Sequence, residues 1–199
     1  MNHRNELDES LLSAIGNLSP NQNCSHKLII YDARPYMNAL ANRMASGGYE
    51  NTKDYYKDCD IIFCDIDNIH AVRDSITKLH ELGNTTAVGS NQGNPKWVTL
   101  LHNTNWLQLI SKILSGVNKI LETITTWKLN VLIHCSDGWD RTAQLSALAQ
   151  LLLDPFYRTI KGFQILIEKD WLSFGHQFQK RLGHFDKKYW DDQRCPIFI

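Results

Sequence analysis

At 199 residues with 43% apolar side chains, the chain can bury one good hydrophobic core, so a single domain is the default expectation. Lysine plus arginine and aspartate plus glutamate each total 21, which excludes the strong basic field of a nucleic-acid binder or of purely electrostatic attachment to an anionic membrane. Five cysteines without a framework spacing, no secretory leader and no long apolar run point to a reducing, cytosolic setting.

In chain order, the polar segment 1–23 is expected to be partly disordered, with a short helix around Leu7–Ile15. Leu28–Tyr31 reads as a strand and Ile61–Cys64 as another. Ala71–Leu82 reads as a helix with Val72, Ile76 and Leu79 on one face, and Gly83–Pro95 as a surface loop rich in Gly, Asn, Ser and Thr. Trp106–Ile124 is a long helix whose stripe is Leu109, Ile113, Val117, Ile120 and Ile124. The short apolar run Val131–Ile133 reads as a strand buried on both faces. A helix follows with Leu145, Leu148 and Leu152 as its core stripe, stopped at Asp154-Pro155. Further helical segments are expected at Phe156–Asp170 and Ser173–Leu182. Strands alternating with helices predict a layered α/β domain, a central mostly parallel sheet flanked by helices, with residues 24–199 as its body.

The chemistry concentrates between the third strand and its helix, in Cys135-Ser136-Asp137-Gly138-Trp139-Asp140-Arg141-Thr142. Here a cysteine precedes an arginine by six positions, with a strand before and a helix after, and Gly138 lets the backbone turn tightly. Orphan N–H groups at a helix start, with a bidentate guanidinium, form a cradle for phosphate oxygens. The same field stabilises a thiolate, which can attack phosphorus. Cys135 is the only one of the five cysteines with an arginine six residues on.

Asp137 and Asp140 are unexpected beside a phosphate dianion, because like charges in a partly desolvated site repel. They make sense if one donates a proton to the leaving oxygen, or if one accepts hydrogen bonds from hydroxyls next to the phosphate. Both options favour a polyhydroxylated phosphate ester. The chain also lacks the Trp-Pro-Asp string with which protein tyrosine phosphatases bring in their acid.

At these residues the chain resembles the myotubularin family of phosphoinositide 3-phosphatases, whose signature matches at every position from Cys135 to Thr142. Tyr31-Asp32-Ala33-Arg34-Pro35, Gly47-Gly48-Tyr49-Glu50, Asn68-Ile69-His70, Tyr157-Arg158-Thr159-Ile160 and Trp171-Leu172-Ser173-Phe174-Gly175-His176 resemble family blocks in family order. The tail at Gly183-His184 and Asp186-Lys187 is closest to the founding subgroup of active members. The likeness covers about Lys27 to Ile199, and Met1–Asn23 looks poor in family features.

The resemblance implies a cysteine-dependent, tyrosine-phosphatase-like fold, truncated at both ends relative to the family's catalytic region. It implies hydrolysis of phosphatidylinositol 3-phosphate without a cofactor or metal, with the 3,5-bisphosphate as a second candidate. Cys135 would be the nucleophile, Arg141 the clamp on the phosphoryl group, and Asp140 the general acid and later the base. Ser136, Asp137, Gly138 and Trp139 would line the pocket, and Asn42, Asn68, Ile69 and Arg181 match headgroup- and phosphate-contacting positions. Membrane association would be peripheral, on endosomes, with assembly among relatives as a possible partnership. Two positions depart from the family pattern. Gln177 stands where active relatives usually have Arg or Lys, and Ser46 replaces a glycine. The first makes the bisphosphate the expected poorer substrate.

Competing readings are a dual-specificity or tyrosine phosphatase with the same thiol, and a non-catalytic scaffold fragment pairing with a full-length relative. Bland readings apply elsewhere. Asp32 is expected to pair with Arg34, and His134 to orient the loop. Trp139 reads equally as an anchor for the back of the loop, His70 and His176 are expected to be structural, and Trp171 and Phe174 core.

Overall fold

The computed structural model describes residues 4–44, 47–87 and 96–182. Ser46 and the tail from Gly183 onward therefore lie outside the described residues. The chain divides into two compact units, residues 1–66 with 114–176, and residues 67–113 with 177–199.

The first unit is built on a three-stranded parallel sheet. Strand β1 (Leu28–Asp32) lies at its centre, flanked by β2 (Cys59–Phe63) and β3 (Asn130–His134). All five residues of β1 are buried, as a near-continuous apolar run in a parallel sheet requires. The strand expected at Ile61–Cys64 begins two residues earlier. β3 departs further from expectation. Among the described residues it pairs with β1 alone, and every one of its residues is only half-buried. Its apolar composition is that of a central strand, but composition does not decide sheet order.

Helix α1 (Glu6–Asn17) is longer than its sequence pattern suggests and forms part of the core. Asn5 caps it by accepting from the N–H groups of Leu7 and Asp8. Leu12 and Ile15 pack on the cluster of Leu28, Ile30, Tyr56 and Cys59. Gly16 lets the helix come close to β1, since a Cβ there would lie 3.2 Å from that of Lys27. Ser19 then donates to the Lys27 carbonyl at 2.6 Å and accepts from the Asn130 N–H at 2.8 Å, tying the segment to the start of β3.

Helix α2 (Tyr36–Met44) follows β1, and α6 (Arg141–Leu153) follows β3. Between them in the chain lie α3 (Ile69–Ala87), α4 (Trp97–Asn103) and α5 (Trp106–Thr125). Val117 and Ile120 of α5 are fully buried in the first unit, where the Tyr31 hydroxyl reaches the Lys119 carbonyl at 2.9 Å and Thr123 Oγ1 at 2.8 Å. On α6 the buried face is Ala143, Gln144, Leu145, Ala147 and Ala149, while Leu152 is 46% exposed. The expected leucine stripe is thus displaced, because small alanines form the closely packed side. The helix stops at Asp154, as Pro155 requires.

The segment expected to be one helix over Phe156–Asp170 is broken into three pieces. A 3-10 turn (Pro155–Arg158), helix α7 (Ile160–Ile167) and a π turn (Glu168–Leu172) succeed one another. Trp171 is buried as expected, but Phe174 is 69% exposed and is not a core residue. Gln150 and Ser146 on α6 hydrogen-bond the buried Asp170 carboxylate at 2.9 and 3.0 Å, which satisfies it.

The second unit holds α3, α4, the first half of α5 and α8 (Phe178–Leu182). Val72 and Leu109 form its buried contact, with Ile69 and Trp106 against them. Helix α3 runs through Gly83 to Ala87, so the loop expected from Gly83 does not start there. One glycine costs a helix interior only about 1 kcal/mol, which packing overrides. Residues 88–95 of that expected loop lie outside the described residues. The helix expected at Ser173–Leu182 exists only from Phe178 onward. α4 was not signalled by the sequence pattern.

No described helix is long and apolar enough to cross a membrane. Among the described residues, no group of three or more His, Cys, Asp or Glu side chains could hold a metal ion.

Candidate active site

The end of β3 delivers Cys135 into a tight loop that closes at the first residue of α6, Arg141. Parallel strands place their C-terminal ends together, and this is where α/β sheets bind ligands. Gly138 has φ +84°, a conformation that costs a side-chain-bearing residue strain, and it aims its N–H at the Cys135 sulfur, 3.2 Å away. Cys135 is itself 9% exposed.

Burial raises a thiol's pKa, and at Cys135 it is the largest single influence. Donors and charge outweigh it. The Thr142 side chain, the Gly138 N–H, the positive charge of Arg141 and the Thr142 N–H together hold the thiol below its ordinary value. The Thr142 hydroxyl is buried beside the sulfur without completing a hydrogen bond, so its influence on the thiol is electrostatic. The contrast with the other buried cysteines is informative. Cys59 and Cys64 are pushed up to about 11, mainly by desolvation.

Arg141 spans the loop. Its Nη1 donates to the Ile66 carbonyl at 3.2 Å and its Nη2 to Ser136 Oγ at 3.1 Å. A guanidinium fixed in this way presents a planar fork that suits two phosphate oxygens. Asp140 occupies the N-cap position of α6, but its side chain makes no capping bond. It lies instead near His176, with Nδ1 3.5 Å from Asp140 Oδ1. The same Nδ1 is 2.6 Å from the Trp139 carbonyl oxygen. His176 therefore carries its proton on Nδ1 and shares it between the loop backbone and the candidate acid. The Trp139 and His176 rings also meet, with centroids 5.6 Å apart, so Trp139 anchors the back of the loop.

Beneath Cys135, His134 places Nδ1 3.1 Å from the Cys135 carbonyl oxygen and Nε2 3.2 Å from Glu50 Oε2, an ion-pair distance at which neither atom completes a hydrogen bond. Asp32 and Arg34 form a buried ion pair at 2.6 Å, as expected from the sequence, and Arg34 also donates to the Gly48 carbonyl at 2.8 Å.

The sequence-predicted residues separate into groups. Cys135, Ser136, Gly138, Trp139, Asp140 and Arg141 form one connected loop, from which Ser136 and Asp137 are exposed to solvent. Asn42 lies half-buried on α2, its carbonyl accepting from the Gly47 N–H at 2.8 Å. Asn68, Ile69 and Arg181 belong to the second unit. There Asn68 caps α3 through the His70 and Ala71 N–H groups, Ile69 packs at the Val72–Leu109 contact, and Arg181 is buried on α8. Three contributors were not foreseen as site residues: Thr142, Glu50 and His176. Thr142 had a local signal, being next to Arg141 in the loop string. For Glu50 and His176, 85 and 41 positions from Cys135 in the chain, only the folded contacts reveal the role.

The sequence profile described as "Myotubularin-like phosphatase domain" matches residues 1–199. Myotubularin of Xenopus laevis is 45% identical over 196 residues, which is 98% of this chain and 31% of that protein. The phosphatidylinositol-3,5-bisphosphate 3-phosphatase MTMR2 of Mus musculus is 46% identical over 196 residues, 98% of this chain and 29% of that protein. Myotubularin of Rattus norvegicus is 46% identical over 173 residues, 87% of this chain and 28% of that protein. The chain thus spans about a third of the length of these curated relatives. With a family match across all 199 of its residues and an assembled Cys135–Arg141 loop, the chain belongs to the myotubularin-like phosphatase domain family.

Proposed function

We propose that this chain removes the 3-phosphate from phosphatidylinositol 3-phosphate through a cysteinyl-phosphate intermediate. One observation carries the reading: the Cys135 sulfur receives the Gly138 N–H at 3.2 Å, at the start of α6 and beside Arg141. The thiolate attacks phosphorus, forming a P–S bond as the P–O bond to the inositol breaks. The departing inositol oxygen takes its proton from Asp140. Water then attacks the phosphocysteine, Asp140 accepts the water proton, and the P–S bond breaks to return the thiolate and inorganic phosphate. Arg141 and the loop amides stabilise the equatorial oxygens throughout. Asn42, Asn68, Ile69 and Arg181 are assigned to the headgroup by family resemblance.

Relatives named for the 3,5-bisphosphate make that lipid a second substrate, which neutral Gln177 is expected to handle less well. The same reading makes the chain a cytoplasmic peripheral protein of endosomal membranes that assembles with relatives. Phosphate release by the purified chain, folded by its melting curve, tests the proposal. Short-chain phosphatidylinositol 3-phosphate should be hydrolysed faster than the bisphosphate and far faster than a phosphotyrosine peptide. Faster peptide turnover would assign the thiol to a protein phosphatase. In that experiment Cys135→Ser should retain lipid binding without turnover, and a folded wild type without turnover would favour the scaffold alternative.

A further inference from the structure

The Glu50–His134 pair is not used in the chemical steps above, yet it sits directly under the nucleophile. Glu50 is 6% exposed, and its Oε2 lies 3.2 Å from His134 Nε2. The other ring nitrogen, Nδ1, lies 3.1 Å from the Cys135 carbonyl oxygen. Both neighbours are acceptors, since a carboxylate and a carbonyl have no proton to give. Nδ1 can donate to the carbonyl, and a second proton on Nε2 would complete the ion pair with the carboxylate, an arrangement that favours a cationic ring next to the peptide group of Cys135.

The carboxylate is placed there by a rigid path. Asp32 pairs in register with His134 across β1 and β3, and its carboxylate holds Arg34 at 2.6 Å. Arg34 donates to the Gly48 carbonyl at 2.8 Å, two residues before Glu50. We infer that Glu50 is a positioning residue of the nucleophile, acting through His134 to hold a positive charge and a fixed peptide plane beneath the Cys135 sulfur. This inference rests on the role of Cys135 proposed above.

The groups facing the pair are few. Glu50 and Asp32 face His134, both favouring its charged form, and they outweigh the largest influence, burial, so its pKa is raised. Burial raises the Glu50 pKa, but the adjacent His134 and its charge bring it below the ordinary carboxylate value. Arg141, Thr142, the Gly138 N–H and Arg34 face Cys135. Under this inference the imidazolium, which meets the Cys135 carbonyl at 3.1 Å, acts on the sulfur through the peptide group that it holds. Glu50→Gln keeps the shape and removes the charge that keeps the ring doubly protonated.

The test is the pH profile of Cys135 alkylation by iodoacetamide, followed on its own peptide by mass spectrometry, in wild type and Glu50→Gln. The midpoint should move toward that of a free thiol by about one pH unit. That corresponds to a roughly tenfold slower rate below the midpoint. In a His134→Gln background, Glu50→Gln should add nothing. An unchanged midpoint with a lowered melting temperature would overturn the inference and leave Glu50 as a structural brace. If Glu50→Gln does not fold, imidazole nitrogen shifts of wild-type His134 decide the matter. Two protonated nitrogens near pH 7 support the inference, and a single-proton tautomer overturns it. No step uses a substrate. A shifted alkylation profile without lipid hydrolysis would sustain the inference and count against the phosphatase reading alone.

Discussion

His176 Nδ1 lies 3.5 Å from Asp140 Oδ1 while also 2.6 Å from the Trp139 carbonyl oxygen. A histidine from beyond the π turn thus holds the candidate acid and its neighbour's backbone together. Its side chain is 3% exposed, and the Trp171 ring packs edge-on against it with centroids 4.8 Å apart. An imidazole in this setting sets where the Asp140 carboxyl points.

Asp140→Asn should slow phosphoryl transfer by about a hundredfold or more, the usual range for one general acid. The loss should be smallest with aryl phosphates whose leaving group needs no proton. His176→Asn, which keeps a polar group at shorter reach, should lower kcat for the lipid more than for such an aryl phosphate. Single-turnover rates on both substrates check this, and an Asp140→Asn rate equal to wild type would move the acid role to Asp137, since Asp32 is buried against Arg34.

Arg141 bridges the Ile66 carbonyl and Ser136 Oγ with its two terminal nitrogens, at 3.2 and 3.1 Å. A lysine ammonium cannot reproduce that planar span. Arg141→Lys should therefore be nearly as damaging to kcat/KM as Arg141→Ala, and phosphate release measures both. Activity close to wild type in the lysine variant would contradict the clamp.

Arg34→Ala should be strongly destabilising, because it leaves the Asp32 carboxylate buried at 0% exposure without its partner. Removing one member of a buried pair costs roughly 3–5 kcal/mol. Urea unfolding followed by far-UV circular dichroism should show the loss. Replacing both residues with apolar side chains of similar size should cost less than the single change.

The Glu50–His134 pair should also write a pH signature on stability. His134 has a raised pKa in the fold, so its contribution is fully present below the unfolded imidazole value, about 6.5, and fades as pH rises through the folded value. Glu50 has a lowered pKa, so its contribution is present above the unfolded carboxylate value, about 4.3, and fades as pH falls through the folded one. The stability gap between wild type and Glu50→Gln should be widest between those two values. Thermal melts from pH 4 to 9 test it, and a constant gap would show that charge is not involved.

Much of this molecule was legible from local pattern. The long helix stripe, the three strands, the Asp32–Arg34 pair and the Cys135 loop all express short-range rules that a few neighbouring residues satisfy, whereas α2 and α4 carried no such signal. What stayed hidden depended on neighbours distant in the chain. Val131–Ile133 reads as a doubly buried strand, yet among the described residues β3 pairs on one side only and is half-buried, since pairing partners are chosen by the fold and not by a strand's own composition. Phe174 reads as core, but the π turn and the Gly175 bend at φ +81° leave it 69% exposed.

For the site, the sequence determined the reactive group and its immediate cradle, because a strand, a Cys-x5-Arg loop and a helix start are contiguous and their geometry is local. It also carried the family, since those residues stand in the family's order. Only the tertiary structure decided the neighbours of that group: which hydroxyl is buried next to it, which histidine lies beside Asp140, and which carboxylate lies beside His134. Electrostatic and hydrogen-bonding partners are chosen by distance in space, and folding brings Glu50 and His176 to the loop across stretches of chain that carry no trace of the pairing.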